Sequence, residues 1–285
     1  MFYLKQIGSI LRRTFSVWNE HNAPQVGAAL AFYATLSLAP LLILVMAIVA
    51  MVFGHSTAEY KIIGAAEGIV GPDGANVVQT MLDSAGKPAS GTSTTVIGII
   101  VLLFGASAVF SELQSAMNII WDVEPKGGSN IAALIKDRLA SFGMVLAIGF
   151  LLLVSLILSA FLAAAGKFFD GILPVPEFVL SAVNFLISFA GDSLVFGLIF
   201  KYVPNTKIAW RDLWIGSLVT AFLFTVGKFL IGLYLGKTGV GSAYGAAGSF
   251  IVVIVWVYYS SMIFLFGAEF THELAVSLQS RSDTR

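Results

Sequence analysis

Residues 181–228, SAVNFLISFAGDSLVFGLIFKYVPNTKIAWRDLWIGSLVTAFLFTVGK, form two apolar runs joined by a short polar turn. In the first run Ser181, Asn184, Ser188 and Asp192 recur at three- or four-residue spacing, which is one stripe of an α-helix. In the second, Ser217, Ala221, Phe224 and Lys228 fall on one stripe in the same way. Each run is long enough to cross the hydrocarbon layer of a bilayer and too apolar to sit in water. An ionisable side chain inside such a span costs about 2.5–3.5 kcal/mol on insertion scales, so it faces a partner or a wet cavity. Asp192 and Lys228 are therefore the leading functional candidates.

Composition agrees with that reading over the whole chain. Of 285 residues, 58% are hydrophobic and only 11% charged, against about 25% charged in a soluble domain. The expected architecture is an all-α membrane protein, a bundle of six transmembrane helices forming one domain. Sixteen basic and sixteen acidic residues cancel, which argues against nucleic acid as a partner. With no cysteine there is no disulfide framework, thiol nucleophile or Cys-based metal site.

Outward from 181–228, apolar segments lie at about 27–53, 94–117, 139–166, 177–203, 212–236 and 249–270, each matching or exceeding the ~20 residues a span requires. The first is too long for a signal-peptide core and is expected to be a retained span. Lys and Arg fix the orientation. Lys5, Arg12, Arg13, Lys126, Lys136, Arg138, Lys201, Lys207, Arg211, Arg281 and Arg285 share one side; Lys61, Lys87, Lys167 and Lys237 share the other. The richer side is expected to be cytoplasmic, with both termini there.

Residues 1–26 are expected to form a cytoplasmic amphipathic helix. Tyr3, Ile7, Ile10, Leu11, Phe15 and Trp18 lie on one face and Lys5, Ser9, Arg12, Arg13, Ser16 and Glu20 on the other, and Pro24 breaks the helix before the first span. Such a face suits either a membrane surface or the protein's own cytoplasmic loops. Residues 54–93 form the longest external loop, where Gly71-Pro72-Asp73-Gly74 predicts a turn between two short helices, an external helical hairpin. Pro40 predicts a kink in the first span. Gly227, Gly232 and Gly236 read as close-packing positions, and residues 271–285 as a cytoplasmic tail.

Asp192 and Lys228 differ by roughly 10 Å in depth at 1.5 Å per residue, so a lysine stem closes much of the gap. They form either a structural ion pair, a solvated path, or a lysine snorkelling to the interface. Glu112 and Glu269 lie nearer the cytoplasmic ends, where a loop-anchoring role outweighs transport. Ser107, Ser111, Ser115 and Asn118 share a stripe of the second span and suit helix packing or a pore lining. Trp256, Tyr258 and Tyr259 sit mid-span, where they plug gaps or line a cavity. The candidate substrate pathway takes Asp192, Lys228, Asn184, Ser188, Ser111, Glu112, Trp256 and Tyr259. His21, His55 and His272 are far apart, and no metal-ligand cluster, Gly-x-Ser-x-Gly elbow or phosphate-binding Gly loop is present in the sequence. An enzyme is not expected, and neither a cofactor nor a metal site is assigned.

Several stretches resemble a known family. Gly27-Ala28-Ala29-Leu30-Ala31-Phe32-Tyr33 with Ser37-Leu38-Ala39-Pro40, then Ala116-Met117-Asn118-Ile119-Ile120-Trp121, resemble the opening signatures of the YihY/BrkB family of bacterial inner-membrane proteins. Trp210-Arg211-Asp212 with Gly216, Tyr244-Gly245-Ala246-Ala247-Gly248-Ser249, Trp256-Val257-Tyr258 and Gly267-Ala268-Glu269 resemble the later ones. The resemblance implies a six-span bundle of the inner membrane. Members have been labelled ribonuclease BN, a label regarded as mistaken; others are linked to serum resistance and to export of lipid A precursors. It therefore implies translocation of a lipid or other envelope molecule, with membrane lipids as partners, and carries over no catalytic residue. The alternatives are a non-transporting envelope-assembly scaffold, whose partner surface is the 54–93 segment or the N-terminal helix, and an intramembrane enzyme.

Overall fold

The computed structural model describes residues 2–86, 108–123, 177–206, 208–238 and 248–282. The span expected at 139–166, most of that at 94–117, and the connectors 87–95 and 167–176 lie outside the described residues. All regular structure among the described residues is helical: α1 (Phe2–Glu20), α2 (Ala23–Phe53), α3 (His55–Gly86), α4 (108–120), α5 (Glu177–Tyr202), α6 (Trp210–Thr238) and α7 (Gly248–Ser282). Three of them contain stretches long and apolar enough to cross a membrane, Phe185–Tyr202, Trp210–Tyr234 and Phe250–Leu278.

The chain folds as two compact units, each discontinuous in sequence. One comprises Met1–Ser16, Met117–Thr225 and Gly267–Arg285; the other comprises Val17–Ala116 and Val226–Phe266.

In the second unit, α1 gives way to α2 at Asn22, which adopts a left-handed conformation at φ 52°. Pro24 lies in the first turn of α2, where its missing N–H costs nothing because that donor has no intrahelical acceptor. Gly54, at φ 80°, separates α2 from α3, and the two helices pack against each other. Ala58, Ala75, Val78 and Leu82 of α3 are buried, and the Lys61 ammonium sits 5.0 Å from the centre of the Phe53 ring. The expected hairpin within 54–93 is therefore corrected. Residues 55–86 form one unbroken helix with Pro72 inside it. A proline in a helix interior costs about 3 kcal/mol. Buried positions lie on both sides of Pro72, and packing against α2 offsets that cost.

A smaller core in the same unit joins Ile231 to Val252, with Val255, Trp256 and Tyr259 packed around it. Gly227 faces Tyr259 and Ile263, as a close-packing position should. Gly232 does not; its surroundings are open, which corrects the reading made from glycine spacing alone. Trp18 meets Phe266 edge to face at 6.4 Å.

The first unit is built on α5, α6 and α7. Phe196 and Phe200 of α5 are buried, and Phe196 meets Phe224 of α6 edge to face at 5.4 Å, a favourable aromatic geometry. Helices α6 and α7 cross at two reciprocal contacts. Thr271 of α7 lies against Gly216 of α6, and Thr220 of α6 lies against Gly267 of α7. Each threonine donates its hydroxyl hydrogen to the carbonyl of the glycine four residues earlier in its own helix, at 2.7 Å from Thr220 and 2.6 Å from Thr271. The hydroxyls are thus satisfied within their helices, leaving small surfaces that let the backbones approach, as in membrane-helix pairs.

Helix α7 also runs on to Ser282, beyond the span expected at 249–270, and Thr271, Glu273 and Ala275 are buried. The segment expected as a tail thus continues the helix to Ser282, with residues 283–285 outside the described residues.

Candidate functional site

Asp192 and Lys228 are both half-buried and both engaged with neighbours. Asp192 stands one turn before Phe196 and two before Phe200, both buried, so it caps the buried stripe of α5. Its neighbour Ser193 is 2% exposed and donates its hydroxyl hydrogen to the Phe189 carbonyl at 2.7 Å. Lys228 lies between buried Gly227 and exposed Phe229, at the edge of the packed face of α6. Asp192 belongs to the first unit and Lys228 to the second.

The remaining pathway candidates are placed variously. Ser188 and Ser111 are exposed and Glu112 is half-buried, while the side chain of Asn184 lies outside the described residues. Trp256 and Tyr259 are partly buried against the Ile231–Val252 core.

A set of buried polar groups, of which the sequence points only to Ser217 and Glu269 as candidates, lies in the first unit. In the first unit Thr14, Asp212, Ser217, Thr220, Glu269, Thr271 and Glu273 are all at most 7% exposed. Arg13 Nε lies 2.8 Å from Glu273 Oε2, joining the N-terminal helix to the end of α7. The sequence signal was available but diluted: Glu269 and Glu273 are four apart on a helix whose apolar run has just ended. Nothing in periodicity says that such a face turns inward rather than to water.

The segment 116–122 does positional work. Ala116, Met117 and Ile120 are buried. Asp122 adopts φ 49° at the end of α4, and the Trp121 ring lies 5.0 Å from that of His272. Asn118 Oδ1 accepts the backbone N–H of Asn205 at 2.8 Å, fixing the α5–α6 connection. The Lys201 ammonium donates to the Ile208 carbonyl across the same connection. An open cavity of about 470 Å³ lies there, lined by Lys201, Tyr202, Pro204, Asn205 and Thr206. Among the described residues no three His, Cys, Asp or Glu side chains come together as a metal-holding group.

The fold and these polar positions define a helical membrane protein. The sequence profile of the Virulence factor BrkB family matches residues 14–285, and the chain belongs to that family. A UPF0761 membrane protein of Ralstonia nicotianae is 28% identical over 266 residues, covering 91% of this chain and 57% of the relative. Another, from Verminephrobacter eiseniae, is 31% identical over 175 residues, 61% of this chain and 40% of the relative. The chain thus spans about half the length of these relatives. It covers 93% of a UPF0761 membrane protein of Pseudoalteromonas translucida, at 27% identity over 292 residues. No solved structure matches it.

Proposed function

We propose that this chain is a bacterial inner-membrane transporter of six spans, with both termini cytoplasmic, that moves a lipid or other envelope molecule along a polar path between its helices. The observation that carries the reading is the placement of two opposite charges, Asp192 and Lys228, on the half-buried margins of apolar helices. Charges at such depth are retained against a cost of about 2.5–3.5 kcal/mol each, and moving a polar or charged headgroup past hydrocarbon is work that needs them. Asp192 and Lys228 act here as headgroup-contacting charges. The reading assigns no catalytic group, and the asymmetry of Lys and Arg supports its orientation.

The test is lipid translocation by purified protein in liposomes, with Asp192→Asn and Lys228→Met. Each substitution removes a charge-assisted contact and is expected to slow translocation about ten-fold or more while folded yield is kept. Wild-type rates in both variants would overturn the assignment. If the two residues are only a structural pair, the single variants lose folded yield and the double variant regains it.

A further inference from the structure

The α5–α6 corner carries more than a turn requires. Lys201 is half-buried at the end of α5 and lines the open cavity, and its neighbour Tyr202 is 60% exposed. The Tyr202 ring meets Trp210 at 6.4 Å, and Trp210 meets Trp214 at 5.8 Å, giving an aromatic edge that leads from the cavity onto α6. Arg211 projects its side chain outward, 87% exposed, with its Nε 3.7 Å from Asp212 Oδ1 and the rest of the guanidinium turned to the surroundings. Below it on one face, Trp214, Leu218 and Phe222 recur at four-residue spacing, all exposed.

In order, then, this surface presents an open cavity with Lys201 at its wall, an aromatic edge, the outward-facing Arg211 and an apolar stripe about 12 Å long at 1.5 Å per residue. That is the profile of an amphiphile lying against a helix. Aromatics alone at a span end are ordinary interfacial anchors. Lys201 at the cavity wall, whose ammonium donates to the Ile208 carbonyl with one of its three N–H groups, and outward-facing Arg211 at the start of α6 supply the cations an anionic headgroup requires. We propose that the α5–α6 corner binds one anionic phospholipid, its phosphate against Lys201 and Arg211 and an acyl chain along Trp214, Leu218 and Phe222. The site stands apart from any translocation through the bundle.

The experiment is native mass spectrometry of the full chain in detergent, with dioleoyl phosphatidylglycerol or dioleoyl phosphatidylcholine added. The wild type is expected to retain phosphatidylglycerol in preference to phosphatidylcholine. Arg211→Gln, which keeps a hydrogen-bond donor beside buried Asp212 and is checked for an unchanged melting temperature, is expected to lower phosphatidylglycerol occupancy about five-fold, the share one basic residue supplies at a membrane surface. Lys201→Gln is expected to do the same, and Phe222→Ala to weaken both lipids equally. Millimolar inorganic phosphate should leave phosphatidylglycerol bound; if it displaces the lipid, the corner is a free-anion site and the lipid assignment falls. Equal retention of the two lipids by the wild type, or unchanged occupancy in Arg211→Gln, also overturns it. The change in phosphatidylglycerol occupancy at Arg211 and Lys201 is read without any transport assay, so failure of the transport reading leaves this result intact.

Discussion

Alanine at Gly216 or Gly267 is expected to destabilise the protein, and valine at either to remove most of the folded product. Helix propensity points the other way, since Gly→Ala in a helix interior gains about 1 kcal/mol. Packing decides the sign. A β-carbon on Gly216 would lie 2.6 Å from Thr271 Cβ, and one on Gly267 would lie 2.8 Å from Thr220 Cβ. Those atoms are rooted in the facing helix and cannot swing aside as a side-chain tip would. Overpacking costs about 1–3 kcal/mol and more when backbone must shift, so alanine should lose about 1–2 kcal/mol net and valine several. Gly232 is the internal control, because it lies in the same helix α6 with open surroundings. Gly232→Ala should be neutral or stabilising by up to about 1 kcal/mol. Thermal melting in detergent and the monodisperse fraction on size exclusion read all of these. Gly216→Ala combined with Thr271→Gly should recover part of the loss; a melting temperature for Gly267→Ala at or above that of the wild type would contradict the crossing.

Both glycines belong to stretches that the sequence flagged for family resemblance, Trp210 to Gly216 and Gly267-Ala268-Glu269. Their physical use was not legible there. The partner of each is a threonine roughly fifty residues away in the chain, and a stripe of small residues in one helix does not say which helix meets it. What could be read was what depends on local pattern alone. The break near Pro24 appears as Asn22 and the start of α2, and the runs expected at 177–203 and 212–236 appear as α5 and α6 within two residues at each end. Gly71-Pro72-Asp73-Gly74 misled because turn chemistry is a local preference, and α3, packed against α2, stays helical across it. The length of α7 was not legible for a different reason. Apolarity reports contact with lipid or core, whereas α7 continues as a helix for a further twelve residues past 270 with a mixed surface.

That mixed surface makes the second large prediction. Glu273 is buried to 7% side-chain exposure and its carboxylate lies 2.8 Å from Arg13, whose own side chain is 66% exposed. The two partners should therefore respond unequally to mutation. Arg13→Met removes a cation that is largely hydrated either way but leaves a carboxylate buried without its charge partner, and an orphaned buried charge costs more than the pair contributes. About 1–3 kcal/mol of destabilisation is expected, the lower part of the range for breaking a buried pair, because water still reaches Arg13. Glu273→Gln keeps an oxygen acceptor for Arg13 and removes the buried charge, so it should cost less, about 1 kcal/mol or under. The double variant Arg13→Met with Glu273→Leu replaces the pair with apolar groups of similar size and should return close to the wild type. Thermal melting of these variants, together with Glu273→Leu alone, closes a double-mutant cycle and gives the interaction energy. Equal losses in Arg13→Met and Glu273→Gln would mean that the pair is held by solvent-exposed attraction alone. In that case the burial of Glu273 would not be what ties α1 to the end of α7.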